Sequence, residues 1–366
     1  MKNFAFGLSA NLGSIARESH VQTKQHQRPP LDIESATKLA VAILNDVMLF
    51  RRTVDSNETC AHTCPSCHTP HLQKVIFSVM LGRPIKFVLP AFPGKSPNPA
   101  KVLGHLPDMA ERRALMFLGY LSNRIKQIYA PGIEIIICSD GRVFSDAVGM
   151  LEENVTAYQD SLDEIIDELG LTNISTFNLD ELCGGRDFAE VRRSLMKEYG
   201  KSLASLREKI LRCDTPFETP EDRDAQRMYL GITRFLVEDS TFPGQTRSRT
   251  AVQKDCKARA YEVILRSNAW SELIAERFED AVRWSIHPQG CGSAKLGIRL
   301  LGNESWMTPW HGVAVDTGKG FVLMKRWEAE GLGAELVLDA KGRPSHFKLA
   351  SQPAVSAMVE QEANEF

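Results

Sequence analysis

The stretch from Lys86 to Cys138 constrains the fold more than any other part of the chain. Lys86 to Leu89 reads as a buried strand, closed by Pro90 and Pro93. Ile133 to Cys138 is an apolar run of strand length, the kind found in a parallel sheet covered on both faces. Between them, Pro107-Asp108 with Glu111 makes a capping-box-like helix start. Ala114, Leu118, Leu121, Ile125 and Ile128 then repeat at helical spacing, so the helix buries one stripe. Pro131-Gly132 ends it. Strand, helix and strand in this order define a βαβ unit. The expected fold is therefore α/β and Rossmann-like: a mostly parallel sheet flanked by helices.

The flanking sequence changes character twice. Residues 1–30 are rich in Ser, Gln, Asn and His and read as a flexible arm. Asp32 starts a helix whose Ala40, Ile43, Leu44 and Val47 share a face, and a short helix is expected over Leu72 to Met80. From about 151 to 284 the pattern is mostly helical, with breaks at Gly184-Gly185, Pro216 to Pro220 and Pro243-Gly244. The last third carries short β-type runs: Ile298 to Leu301, Val313 to Val315, Phe321 to Met324 and Leu336 to Leu338. Residues 351–366 read as a flexible acidic tail, which leaves 31–350 as the catalytic region.

Charge and hydropathy narrow the class. A net charge of -2 leaves no excess of Lys and Arg to neutralise a nucleic-acid backbone. The apolar run from Leu39 to Phe50 is short and broken by Asn45 and Asp46, so no membrane span is expected. No sustained apolar core at the N-terminus marks a signal peptide. Eight cysteines among 366 residues is far from a disulfide scaffold, and a reduced, cytoplasmic protein is expected.

Four segments carry candidate chemistry. Lys95, Ser96, Asn98 and Lys101 lie in a proline-stiffened loop just past the first strand, where open α/β sheets place ligands, and they suit a phosphate or carboxylate. Ser139, Asp140, Arg142, Ser145 and Asp146 follow the second strand. There Asp140 or Asp146 could orient an ammonium group or take a proton, and Arg142 could clamp an oxyanion. His287, Lys295 and His311 sit in Gly/Pro-bounded stretches with Trp310, as proton shuttles and an aromatic wall. The cations from Arg247 to Arg259 open a helix and read as a solvated face. Every one of these has a plain alternative as a polar turn or a satisfied structural residue.

Cys60, Cys64 and Cys67 crowd together, and Cys64 and Cys67 have the spacing of a zinc-knuckle arm. His71 would complete a Cys₃His structural zinc site, with His62 and His68 as rivals. The alternative is a loop of reduced thiols.

Two long blocks, FVLPAFPGKSPNPAKVLGHLPDMAE and IIICSDGRVFSDAVG, resemble the signature blocks of the isonitrile (isocyanide) synthases, in the family's order. SIHPQ, SAKLGIRLL and WMTPWHGV are similar to that family's C-terminal half, and the resemblance runs from Ile33 to Leu349. It implies condensation of the amine of L-tyrosine or L-tryptophan with the ketone of ribulose 5-phosphate. The imine then sheds the rest of the sugar and leaves an isocyanide. It further implies that no cofactor is required for the chemistry, and that an Fe(II)/2-oxoglutarate oxygenase acts next in the pathway. On this footing Lys95, Ser96, Asn98 and Lys101 are expected to bind the phosphate. Ser139, Arg142 and Asp140 position substrate, His287, Lys295 and His311 (with Asp140) move protons, and Trp310 lines the aromatic pocket. No G-x-G-x-x-G fingerprint points to a nicotinamide. A Schiff-base phosphosugar aldolase or isomerase using Lys95 or Lys295 is the rival enzyme. A zinc-knuckle nucleic-acid-binding protein is disfavoured by the charge.

Overall fold

A computed structural model describes residues 31–54, 60–302 and 307–350; the expected arm and tail lie outside the described residues. The first helix, α1 (Ile33–Met48), starts at Asp32, whose carboxylate accepts the Ser35 N–H, and buries Ala36, Ala40, Ile43, Leu44 and Val47. The helix expected at Leu72 begins earlier, at Pro65, giving α2 (Pro65–Met80). Pro fits the first turn because its missing N–H has no partner there anyway.

Next come β1 (Ile85–Leu89), α3 (Met109–Ile128) and β2 (Ile133–Ser139), the expected βαβ unit, with β1 and β2 parallel. Asp108 and Glu111 form the capping box. After β2 the chain makes α4 (Gly141–Val148), α5 (Glu152–Glu168) and β3 (Ile174–Asn178). That last strand lies inside the region expected to be mostly helical and was not foreseen. Its sequence, ISTFN, is only five residues long and places Ser175 and Thr176 side by side, so it lacks the period-2 alternation that marks a strand.

Four helices follow: α6 (Phe188–Tyr199), α7 (Leu203–Arg212), α8 (Pro220–Asp239) and α9 (Arg249–Arg277). Two short strands, β4 (Val282–Ser285) and β5 (Leu296–Gly297), rejoin the sheet. The run Ile298 to Leu301 is not a strand; Ile298 makes only an isolated bridge to Arg51.

All neighbours in the main sheet are parallel, in the order β3-β2-β1-β4-β5. The pleat of β2 divides two cores. Ile133, Ile135 and Ile137 pack under α1, α3 and α5, while Ile136 and Cys138 pack with Phe177 and with Trp270 of α9. This double coverage is why β2 reads as apolar. The chain closes with β6 (Val313–Asp316), β7 (Phe321–Met324), α10 (Arg326–Gly331), β8 (Glu335–Leu338) and β9 (Pro344–Lys348), the strands forming a mixed sheet ordered β7-β6-β9-β8.

The order of the main sheet reverses between β1 and β4. In open parallel sheets the crevice at such a switch point, outside the carboxyl ends of the strands, is where ligands bind.

Candidate active site at the carboxyl edge of the sheet

The loop leaving β1 crosses this edge, and it is a clamp rather than an open anion cradle. The Lys95 ammonium is fully buried, 2.8 Å from both Asp108 and Glu111, and donates to the Pro309 carbonyl at 3.1 Å. Burial alone would discharge this lysine, but the two carboxylates outweigh it and hold its pKa above the ordinary value. Burial also lifts Glu111 to about 7. Lys101 is buried against Asp239 at 2.5 Å and Glu238 at 3.3 Å. Ser96 donates to Asp239 at 2.7 Å, and the Asn98 amide donates to the carbonyls of Glu238 and Thr241.

The donors of the four residues expected at the phosphate are paired within the protein, and Lys95 and Ser96 also line the cleft beside the loop. What they do is fasten the loop to α3 and to the end of α8. A cleft of about 320 Å³ opens beside the loop, with Val102, His105, Met150, Leu151, Asn154 and Val155 in its wall.

The turn after β2 packs directly under the same loop. A Cβ on Gly141 would fall 1.7 Å from the Pro93 carbonyl oxygen, so only glycine fits. Ser139 is buried and donates to the Phe92 carbonyl at 3.2 Å. Arg142 is buried among Glu152 at 3.0 Å, Asp180 at 2.5 Å, the Thr156 hydroxyl and the face of Phe188. Asp146 pairs with Arg266 at 2.6 Å. Arg142 and Asp146 thus tie the helical layer together, and Ser139 ties the end of β2 to the loop leaving β1.

Asp140 stands apart. Among the described residues no other side chain is paired with its carboxyl group, and burial raises its pKa to about 7, with its own backbone N–H and then Arg283 pulling the other way. A carboxyl group poised there is half-ionised near neutral pH and suited to proton transfer.

On the β4 side the structure gathers three of the expected residues. His287 follows β4, and Lys295 immediately precedes β5. His287 opens to solvent yet is walled by protein. Burial, then the positive charges of Arg52 and Lys295, keep it below the ordinary imidazole value. Burial and Arg283 lower Lys295 in the same way. His311 is held neutral, at about 3, by burial and by Lys101, and it lies within charge reach of Lys95 and His287. Its Nδ1 is buried and has no hydrogen-bond partner among the described residues.

Trp310, expected to line the aromatic pocket, is buried. It is a core residue packed on Phe92 at 5.4 Å, with its carbonyl accepting the Ser96 N–H, and it supports the site from below.

Two cations missed in the sequence complete this side. Arg283 lies on β4 within charge reach of Asp140, and its buried Nε and Nη1 have no hydrogen-bond partner among the described residues. A charged residue inside a covered strand was the available signal. Arg52 donates to the Ile286 carbonyl at 2.7 Å, and burial beside Arg299 pushes its pKa down to about 10. Cys60, Cys64 and Cys67 do converge, but their fourth neighbour is Cys291 and not His71. His71 is buried and held neutral at about 4 by burial.

A doubly covered parallel sheet with uncharged bases and cations at its carboxyl-edge switch point defines an α/β enzyme. Residues 75–337 match the family described as pyoverdine/dityrosine biosynthesis protein, and the chain belongs to that family. It is 43% identical to an L-tryptophan isonitrile synthase of Fischerella ambigua, over 91% of this chain and 98% of that one. It is 44% identical to an L-tyrosine isonitrile synthase of Pseudomonas aeruginosa, over 88% of this chain and 97% of the other. The crystal structure of PvcA from Pseudomonas aeruginosa superposes with a TM-score of 0.79 at 44% identity, covering 85% of this chain and all of that one. Among the described residues no helix is long and apolar enough to cross a membrane.

Proposed function

We propose that this chain is an isonitrile synthase that converts the α-amino group of L-tyrosine or L-tryptophan to an isocyanide, with ribulose 5-phosphate as carbon donor. The observation that carries the proposal is the juxtaposition at one sheet edge of Asp140, His287 and His311 with Arg283 and Lys295. Condensing an amine with a ketone needs the amine deprotonated and a hydroxyl removed as water. The sugar fragment must then leave with proton transfers at carbon and oxygen. Imidazoles kept neutral by burial, His287 and His311, serve as bases without first shedding a proton, and Asp140, partly protonated near neutral pH, can give or take one.

The substrates are anions, and the cations fit them. Arg283 has buried donors to spare, and Lys295 has no described ion-pair partner, so these two are assigned the phosphate and the amino-acid carboxylate. The cleft beside the β1 loop has an apolar wall for an aromatic side chain, and His105 and Asn154 offer polar contacts for a phenol or an indole N–H. Identity is nearly equal to a tryptophan enzyme and a tyrosine enzyme, so sequence similarity does not choose between the two.

The test is to incubate the purified chain with ribulose 5-phosphate and each amino acid in turn, and to read product by mass spectrometry. The isocyano acid from one of them supports the proposal. A borohydride-trapped ketose adduct on Lys295 without any isocyano acid would favour a Schiff-base aldolase. Lys95, the other lysine of that rival, is already held as an ammonium between two carboxylates.

A further inference from the structure

Four sulfurs converge beside the loop that carries Lys295. Cys60 precedes α2, Cys64 caps that helix, Cys67 lies in its first turn, and Cys291 comes from the loop between β4 and β5. The four Sγ atoms all lie within 4.8 Å of one another. Cys60 and Cys67 are 3.3 Å apart, Cys67 and Cys291 3.5 Å, and Cys64 and Cys291 3.7 Å. A disulfide requires about 2.05 Å, so none of these contacts is one. Tetrahedral zinc with bonds of about 2.3 Å places its sulfurs about 3.8 Å from each other. The observed separations are close to that edge length.

A buried positive charge lies against the sulfurs. Arg51 is buried and has no carboxylate within ion-pair distance among the described residues. Its Nη1 instead donates to the sulfurs of Cys60 at 3.2 Å and Cys67 at 3.5 Å. Its Nη2 donates to the Cys60 carbonyl. A guanidinium cannot give up its charge, and anionic sulfurs beside it would balance that charge. Four packed thiolates in turn need a cation.

We propose that Cys60, Cys64, Cys67 and Cys291 bind one zinc ion, which fastens the loop carrying Lys295 to the start of α2. Four protein ligands leave no open position, so the ion is structural and takes no part in turnover. Its role is to restrain Lys295, three residues beyond the Cys291–Gly292 bond, relative to the sheet edge.

The test reads metal content and is independent of the reaction. The full chain is purified without added metal, dialysed, and analysed by plasma mass spectrometry. About one zinc per chain is expected. His71→Ala should keep it, and Cys291→Ser should retain less than about a tenth as much after dialysis. If Cys291→Ser does not fold, titrating intact wild-type chain with an organomercurial beside a zinc-sensing dye replaces it, and one equivalent released as thiols react is the expected result. Wild type that stays metal-free after zinc is supplied, iron in place of zinc, or loss of zinc in His71→Ala but not in Cys291→Ser would each overturn the proposal.

Discussion

Replacing Asp140 by Asn should stabilise the protein while disabling it, and the gain should grow with pH. The carboxyl group titrates at about 7 in the fold against an ordinary value of 3.8. A carboxyl group raised on folding favours the folded state only while it is protonated, so stability is lost as pH rises from about 4 through 7. Each pH unit of difference is worth about 1.36 kcal/mol, which gives about 4 kcal/mol of destabilisation once the group is ionised in both states. Asn keeps the shape and removes the charge. At pH 8.5 the Asn variant should therefore unfold in urea with a free energy about 4 kcal/mol above wild type. At pH 5 the gain should shrink to under about 2 kcal/mol. In parallel, kcat/KM should fall by about 10² to 10⁴. Equal urea midpoints for the two proteins at pH 8.5 would refute the claim that Asp140 is a buried, strained acid.

Three further outcomes follow from the same geometry. Lys95→Met leaves Asp108 and Glu111 buried without their cation, and should cost about 3 to 5 kcal/mol in urea denaturation; a neutral effect would mean the pair is not closed in solution. Gly141→Ala drives a Cβ into the Pro93 carbonyl, and a loss of about 1 to 3 kcal/mol together with activity is expected, measured by thermal melts and turnover. Asp140 as the base predicts that kcat/KM rises through about pH 7; His311, already neutral there, should leave that limb in place when changed to Asn while the plateau falls at least about tenfold.

The parts of the fold that were legible in sequence are those fixed by local pattern. The Asp108–Glu111 box, the helical stripe after it and the apolar β2 each state their structure within a few residues. So does the shared carboxyl edge, because parallel strands end on one side. The site was legible in part: Asp140, His287, Lys295 and His311 stand at that edge.

The partners of the buried cations were not legible for one physical reason, which is that they lie distant in sequence. Lys101 is spoken for by Asp239, and Arg142 by Asp180 across an intervening helix and strand. The Lys95 case is sharper, since Glu111 was recognised as a helix cap while its second role, neutralising Lys95, is visible only in three dimensions. Cys291 reaches Cys64 from 227 residues away, whereas His71 lies close in sequence but turns into the core. The strand β3 was hidden by the helices on both sides of it.

The central claim is most directly tested by following one carbon and one nitrogen. The chain is given ribulose 5-phosphate carrying a heavy carbon at its ketone position and the aromatic amino acid carrying a heavy nitrogen, and the product is weighed. The account predicts an isocyano acid in which both labels sit in the same isocyanide group. Release of unlabelled isocyanide carbon, or turnover of the sugar phosphate with the amino acid unchanged, would contradict it.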